Sequence, residues 1–205
     1  MPNLTAEQAL QRLKDGNQSF IQQSRAVIEI DDARREELAK AQEPFAIILG
    51  CSDSRVPAEL IFNQGLGDLF VIRVAGNIVA PSQIGSIEFA ADQFGTRLVV
   101  VLGHSRCGAI KASLDLLAAD AEHDSPNLHS IVRRITPGIK EVAEQTKGQP
   151  EDDRMHAAVR ANIHASVEQL RHGSNILENF IANDGLKIVG AEYDLDTGSI
   201  DFFDE

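Results

Sequence analysis

Phe45-Ala46-Ile47-Ile48-Leu49-Gly50 runs directly into Cys51-Ser52-Asp53-Ser54-Arg55. The first half is continuously apolar, with none of the polar alternation of a strand that has one wet face. It predicts a short strand buried on both faces. Leu69-Phe70-Val71-Ile72, Leu98-Val99-Val100-Val101-Leu102 and Leu186-Lys187-Ile188-Val189 read the same way. Strands of this kind belong to parallel sheets covered by helices on both sides. Asp194 to Gly198 reads as a tight turn, which returns Ser199-Ile200-Asp201-Phe202 as an antiparallel edge strand. The predicted class is α/β: an open, mostly parallel β-sheet of about four parallel strands plus an antiparallel edge strand, flanked by helices.

The segments between the strands carry helical spacing. Thr5-Ala6-Glu7-Gln8 is a capping box, followed by Leu10, Leu13, Phe20 and Ile21 on one face. Asp31-Asp32 opens a second helix that Glu43-Pro44 closes. These two form an N-terminal helical arm, about residues 4–42, of a chain that reads as a single domain over 1–205. Ser82 is placed to cap a helix carrying Ile84, Ile87, Ala91 and Phe94, ended by Gly95. Ser105 is placed to cap another through Ile110, Leu114 and Leu117. A helix from about Pro126 to Lys147 is expected to kink or break at Pro137, and it has too few apolar residues for a core of its own. Asp153 to Gly173 is a long helix with Val159, Ile163, Val167 and Leu170 inward.

Composition narrows the functional classes. The 205 residues include 19 basic and 31 acidic side chains, a formal charge of −12. No basic field exists to attract a nucleic-acid backbone or an anionic membrane, although a local charge can still hold a small anion. Apolar residues at 43% and charged residues at 24% are ordinary globular usage, against disorder or coiled coil. The N-terminus lacks a basic segment followed by an apolar one, and the longest apolar runs are far below a membrane span. The expectation is a soluble, cytoplasmic chain. Two cysteines, Cys51 and Cys107, are too few for a secreted disulfide scaffold. They leave three options: one disulfide, two buried thiols, or two metal ligands.

In open α/β sheets, ligands bind beyond the carboxyl ends of the strands. The first strand ends in Gly50-Cys51-Ser52-Asp53-Ser54-Arg55 and the third in Gly103-His104-Ser105-Arg106-Cys107-Gly108. Cys-x-Asp places both side chains on one side of an extended segment. His-x-x-Cys at the entry to a helix brings an i, i+3 pair together, and the positive helix end favours a Cys107 thiolate. Thiolate, imidazole and carboxylate together suit zinc better than magnesium or calcium. Arg55 is spaced to hold Asp53 bidentately. Bland alternatives stand beside this. Cysteines after buried strands often serve as small apolar residues, Asp-x-Arg is often a surface or capping pair, and four protein ligands would make a purely structural zinc site.

Cys51-Ser52-Asp53-Ser54-Arg55-Val56 followed by His104-Ser105-Arg106-Cys107-Gly108 resembles the two signature motifs of the β-class carbonic anhydrases. The similarity runs from about Pro44 to Ile110, with weaker agreement at the N-terminal helices and from Gly190 to Gly198. The resemblance implies Zn²⁺ held by Cys51, His104 and Cys107, with water or Asp53 in the fourth position. It implies reversible hydration of CO₂ to bicarbonate through zinc-bound hydroxide, with Asp53 and Arg55 as catalytic residues. Pairing with Arg55 would take the Asp53 carboxylate off the metal and let water in.

The same resemblance implies a substrate pocket of Gln42, Phe70, Phe89 and Gly108. Gln42 would point at the substrate across a dimer interface. Phe89 stands where the family commonly has a tyrosine, so its hydroxyl is missing; ordinary core packing is the alternative reading of both phenylalanines. A homodimer or homotetramer is implied, acting on a small molecule. Hydrolysis of carbonyl sulfide or carbon disulfide on the same scaffold, or a non-catalytic structural-zinc protein, remain as alternatives. Some bacterial relatives carry an inhibitory bicarbonate site of Trp, Arg and Tyr. Its positions resemble Ile48, Arg73 and Tyr193 here, and the chain has no tryptophan, so weak or absent inhibition of this form is expected. His156, His164 and His172 are spaced by eight, which turns a helix by roughly 80° each time, so they do not form one ligand face. They and His123 and His129 read as solvated.

Overall fold

The computed structural model describes residues 4–23, 32–119 and 125–203. Its sheet contains β1 (Ala46–Gly50), β2 (Leu69–Arg73), β3 (Leu98–His104), β4 (Lys187–Tyr193) and β5 (Ile200–Phe203) in the order β2-β1-β3-β4-β5. The first four run parallel, and β5 returns antiparallel on β4. The expected class is therefore observed. The register fixes which strand ends are neighbours: Gly50 lies between Arg73 and Leu102, and His104 opposes Tyr193.

The apolar runs are continuous because alternate residues serve two cores. Ile47, Leu49, Val99, Val101 and Ile188 face one core, while Ala46, Ile48, Leu98, Val100 and Val189 face the other. Over the first lie α4 (Pro81–Gln93), α5 (Gly108–Ala119), α6 (Pro126–Gln145), α7 (Glu151–His172) and α8 (Asn175–Asn183), through Ile87, Ile110, Ile135, Ile163 and Leu177 among others. Over the second lie α1 (Ala6–Ile21) and the short α3 (Ala58–Ile61), through Leu10, Leu13 and Ile61. Each such aliphatic side chain contributes about 1.5–3 kcal/mol by leaving water. α2 (Asp32–Leu38) buries none of its residues.

Several local expectations change. The capping box at Thr5 forms in full. The second helix is shorter than expected, ending at Leu38, and Asp31 lies outside the described residues, as does His123. α4 is capped at Ala80 rather than Ser82, because Pro81 supplies a first position that needs no N–H. The Ser82 hydroxyl instead donates to Gln83 Oε1 at 3.0 Å. Helix α5 starts at Gly108, leaving Ser105 in the preceding turn. α6 runs unbroken through Pro137. Packing holds it: Ile135 and Ile139 are fully buried, and a Cβ on Gly138 would stand 2.6 Å from that of Ala165, so α6 and α7 touch there. Helices α3 and α8 had no signal that the sequence reading used; Ser174 caps α8 by accepting from the Leu177 N–H.

Candidate metal centre

Parallel β1 and β3 lie side by side; β1 ends at Gly50, opposite Leu102, and β3 runs two residues further to His104, which brings their two exit loops to one point. Cys51 leaves β1 directly after Gly50, His104 is the last residue of β3, and Cys107 precedes α5. All three are buried, and their ligand atoms lie within 4.8 Å of one another. The two sulfurs are 4.0 Å apart and both cysteines are free. The disulfide option is thus not taken. Cys107 occupies the N-cap of α5: its carbonyl accepts from the Lys111 N–H at 3.0 Å, and the amides of Ala109 and Ile110 point at its sulfur. The expected first-turn placement shifts by one position, while the favourable helix-end field remains.

His104 supplies the sharpest test of a metal. Its ring is fully buried, and Nδ1 is engaged with the Ser105 carbonyl at 2.9 Å. As donor there, Nδ1 keeps its proton and leaves the Nε2 lone pair free. That Nε2 has no hydrogen-bond partner. A buried, unpartnered imidazole nitrogen is costly unless something electrophilic completes it. Two sulfurs and this nitrogen converge on one point, a donor set that suits a zinc-type ion. The sulfurs' own chemistry agrees. Facing each other they share a proton, so the Cys51 thiol is pulled down chiefly by its hydrogen bond with Cys107, while that contact and burial push Cys107 up.

Asp53 stands beside this set rather than in it. Its Oδ2 is 3.8 Å from His104 Nε2. Arg55 grips the carboxylate from both sides, Nε donating to Oδ1 at 2.9 Å and Nη2 to Oδ2 at 2.7 Å, and the Arg55 N–H adds a third bond at 3.0 Å. The guanidinium holds the Asp53 carboxyl well below the usual carboxylate range, against an opposing effect of burial. With Asp53 held away by Arg55, a four-coordinate ion bound by the other three donors would have one position not filled by protein.

Two supporting contacts had no sequence signal. Arg73, at the end of β2, donates to the carbonyl of Cys51 at 2.9 Å and to that of Asp53 at 2.5 Å, so it braces the first ligand loop. The Gly76 N–H points at Cys51 Sγ at 3.4 Å, from a short 3₁₀ turn (Ala75–Asn77) where Gly76 has φ +67°. A Cβ at Gly76 would stand 2.8 Å from Ile135 Cδ1, and Asn162 on α7 donates to the Gly76 carbonyl.

The other expected site residues are more scattered. Phe70 is half-buried and forms an aromatic cluster with Phe94 and Phe89, the last 52% exposed. Packing and an open apolar wall therefore coexist at these positions. Gln42 is exposed and lines a shallow groove with Leu66, Gly67 and Phe94, apart from the three ligand candidates. Gly108 begins α5 with open space where a Cβ would stand. Ile48 and Tyr193 are buried in the core under α1, whereas Arg73 is committed to the loop carbonyls just described.

Fold and donor set together define an open-sheet α/β protein with a buried Cys–His–Cys site at its strand ends. Residues 46–200 match the family model described as carbonic anhydrase. A carbonic anhydrase of Mycolicibacterium smegmatis is 38% identical over 201 residues, covering 98% of this chain and 95% of the relative. Carbonic anhydrase 2 of Mycobacterium tuberculosis is 36% identical, covering 97% and 93%. Among solved structures, the β-carbonic anhydrase CcaA superposes with a TM-score of 0.78 at 27% identity, over 95% of each chain. A tetrameric β-carbonic anhydrase of Sordaria macrospora gives 0.75 at 26% identity, over 83% of this chain and 86% of that one. The chain belongs to the carbonic anhydrase family, in its β class.

Proposed function

We propose that this protein is a zinc-dependent carbonic anhydrase that interconverts CO₂ and bicarbonate. The observation that carries the reading is the unpartnered Nε2 of buried His104, aimed at two free thiols beside an arginine-held carboxylate. Zinc, when bound by Cys51, His104 and Cys107, supplies the Lewis acidity that makes water a nucleophile near neutral pH.

The chain's own residues do the rest. Arg55 keeps Asp53 ionised and turned away from the ligand set. An ionised carboxylate only accepts hydrogen bonds, so Asp53 takes one from the attacking water and turns its lone pair toward the carbon of CO₂. The two thiolates offset both charges of a divalent ion, leaving little net attraction to retain the bicarbonate product. The aromatic side chains Phe70 and Phe89 suit an apolar substrate, with Gln42 donated from a neighbouring subunit in a homodimer or homotetramer. Free thiols that must remain ligands suit a reducing compartment, so the proposal includes a cytoplasmic location. No helix among the described residues is long and apolar enough to cross a membrane.

Stopped-flow CO₂ hydration by the zinc-loaded protein at alkaline pH tests this reading. Turnover well above buffer, removed by stripping the metal, is expected. No rate above buffer from fully loaded protein would defeat it.

A further inference from the structure

The second ligand loop must reverse direction between His104 and Cys107, and it does so at a non-glycine residue in the left-handed region: Arg106 has φ +55°. A side chain disfavours that backbone conformation, so neighbouring contacts must hold it. They come from the turn between β4 and β5, about ninety residues away in sequence. Arg106 Nη1 and Nη2 each donate to a different oxygen of Asp196, both at 2.8 Å, a parallel two-bond pairing. Beside it, the Ser105 N–H donates to the Tyr193 carbonyl at 3.0 Å, and the Leu195 N–H to Ser105 Oγ at 3.0 Å.

Asp196 itself is fixed in place. The Asp194 carboxylate accepts from the N–H groups of Asp196 and Thr197 and from the Thr197 hydroxyl at 2.7–2.9 Å, which sets the turn. Behind it, buried Asn17 on α1 donates to the carbonyls of Ile61 and Gly198 and accepts from the Ile200 N–H. The turn is thus a rigid abutment, and Asp196 is its one side chain bonded to Arg106.

We propose that Asp196 is a positioning residue for the metal centre: by pairing with Arg106 it holds the left-handed turn that aims His104 and Cys107 at the same point. Neither side chain touches the ligand atoms, and the effect reaches them through the backbone of two adjacent positions. The inference rests on the reading of Cys51, His104 and Cys107 as metal ligands.

The test uses glycine at position 106, which adopts a positive φ freely and so needs no partner. Wild type, Asp196→Ala, Arg106→Gly and the double variant are loaded with Zn²⁺ and titrated with a competing chelator. They are also loaded with Co²⁺, whose thiolate charge-transfer and ligand-field bands report coordination geometry. Asp196→Ala is expected to weaken Zn²⁺ retention about tenfold, the range typical of groups that orient a ligand, and to shift or broaden the Co²⁺ bands. In the Arg106→Gly background, removing Asp196 should change neither readout, since no side chain remains for it to hold. Both residues are at least half exposed, 51% and 69%, so the variants leave the core intact. Wild-type retention and spectrum in Asp196→Ala overturn the inference alone. An equal loss in both backgrounds also overturns it, because Asp196 would then act by a route other than Arg106. A wild-type protein that binds neither ion overturns the ligand reading and the inference with it.

Discussion

At the residue scale, the proposed ligand and catalytic roles are separable by what each side chain would do to a bound metal. Cys51 and His104 are buried and supply two of the three converging donor atoms, so Cys51→Ala or His104→Ala should lose the metal outright, read as zinc content after dialysis. Asp53→Ala removes a carboxylate that stands off the ligand set, 3.8 Å from His104 Nε2. It should retain zinc while CO₂ hydration falls about a hundredfold or more, the usual weight of a positioned acid–base group. Metal loss in Asp53→Ala would place it among the structural ligands instead. The convergence of Cys51, His104 and Cys107 was legible in the sequence, because the only two cysteines each sit within three residues of another donor type at a strand end. What braces them was not. Arg73 reaches the Cys51 and Asp53 carbonyls from 22 and 20 positions away, and no local pattern foretells such contacts.

At the scale of elements, four largely apolar runs disclosed the sheet because a strand covered on both faces leaves little room for a polar residue; Lys187, at the start of β4, is the one charged residue among them. Caps were less legible. Serine before an apolar stretch is a general signal, and at Ser82 and Ser105 it lost to Pro81 and Cys107, which suit the same helix starts better. Pro137 does not break α6, because a lost hydrogen bond weighs less than the burial of Ile135 and Ile139 on either side. The β4–β5 turn ties these elements together, and its weight is measurable. Asn17→Ala strands three buried or half-buried backbone partners and should cost about 2–3 kcal/mol in urea unfolding. An unchanged midpoint would deny the amide that role.

Asp194 adds a pH dependence to the same turn. Hydrogen bonds from Thr197 hold its carboxyl below the usual carboxylate range. A depressed pKa stabilises the fold above the unfolded value of about 3.9 and loses that contribution as pH falls through the folded value. The melting-temperature advantage of wild type over Asp194→Asn should therefore be full near neutrality and shrink below about pH 4. An advantage that grows on acidification would have the wrong sign.

For the molecule as a whole, a charge of −12 surrounds a site whose two thiolates would offset a bound divalent ion. Anionic product should leave such a site readily. The positions resembling an inhibitory bicarbonate site hold Ile48 and Tyr193 in the core, with Arg73 spent on two backbone carbonyls. At fixed ionic strength, activity should therefore decline only gradually as bicarbonate rises, measured by initial hydration rates. A steep, cooperative loss would show that Arg73 is free to take an anion.

Catalysis of this kind requires one divalent ion gripped by two sulfurs and one imidazole where β1 and β3 end. X-ray absorption at the zinc edge of the purified protein tests that requirement most directly. The prediction is about one zinc per chain with two sulfur neighbours near ~2.3 Å, one imidazole nitrogen near ~2.0 Å and one light atom. A folded chain without zinc, or a zinc shell without sulfur, would contradict it.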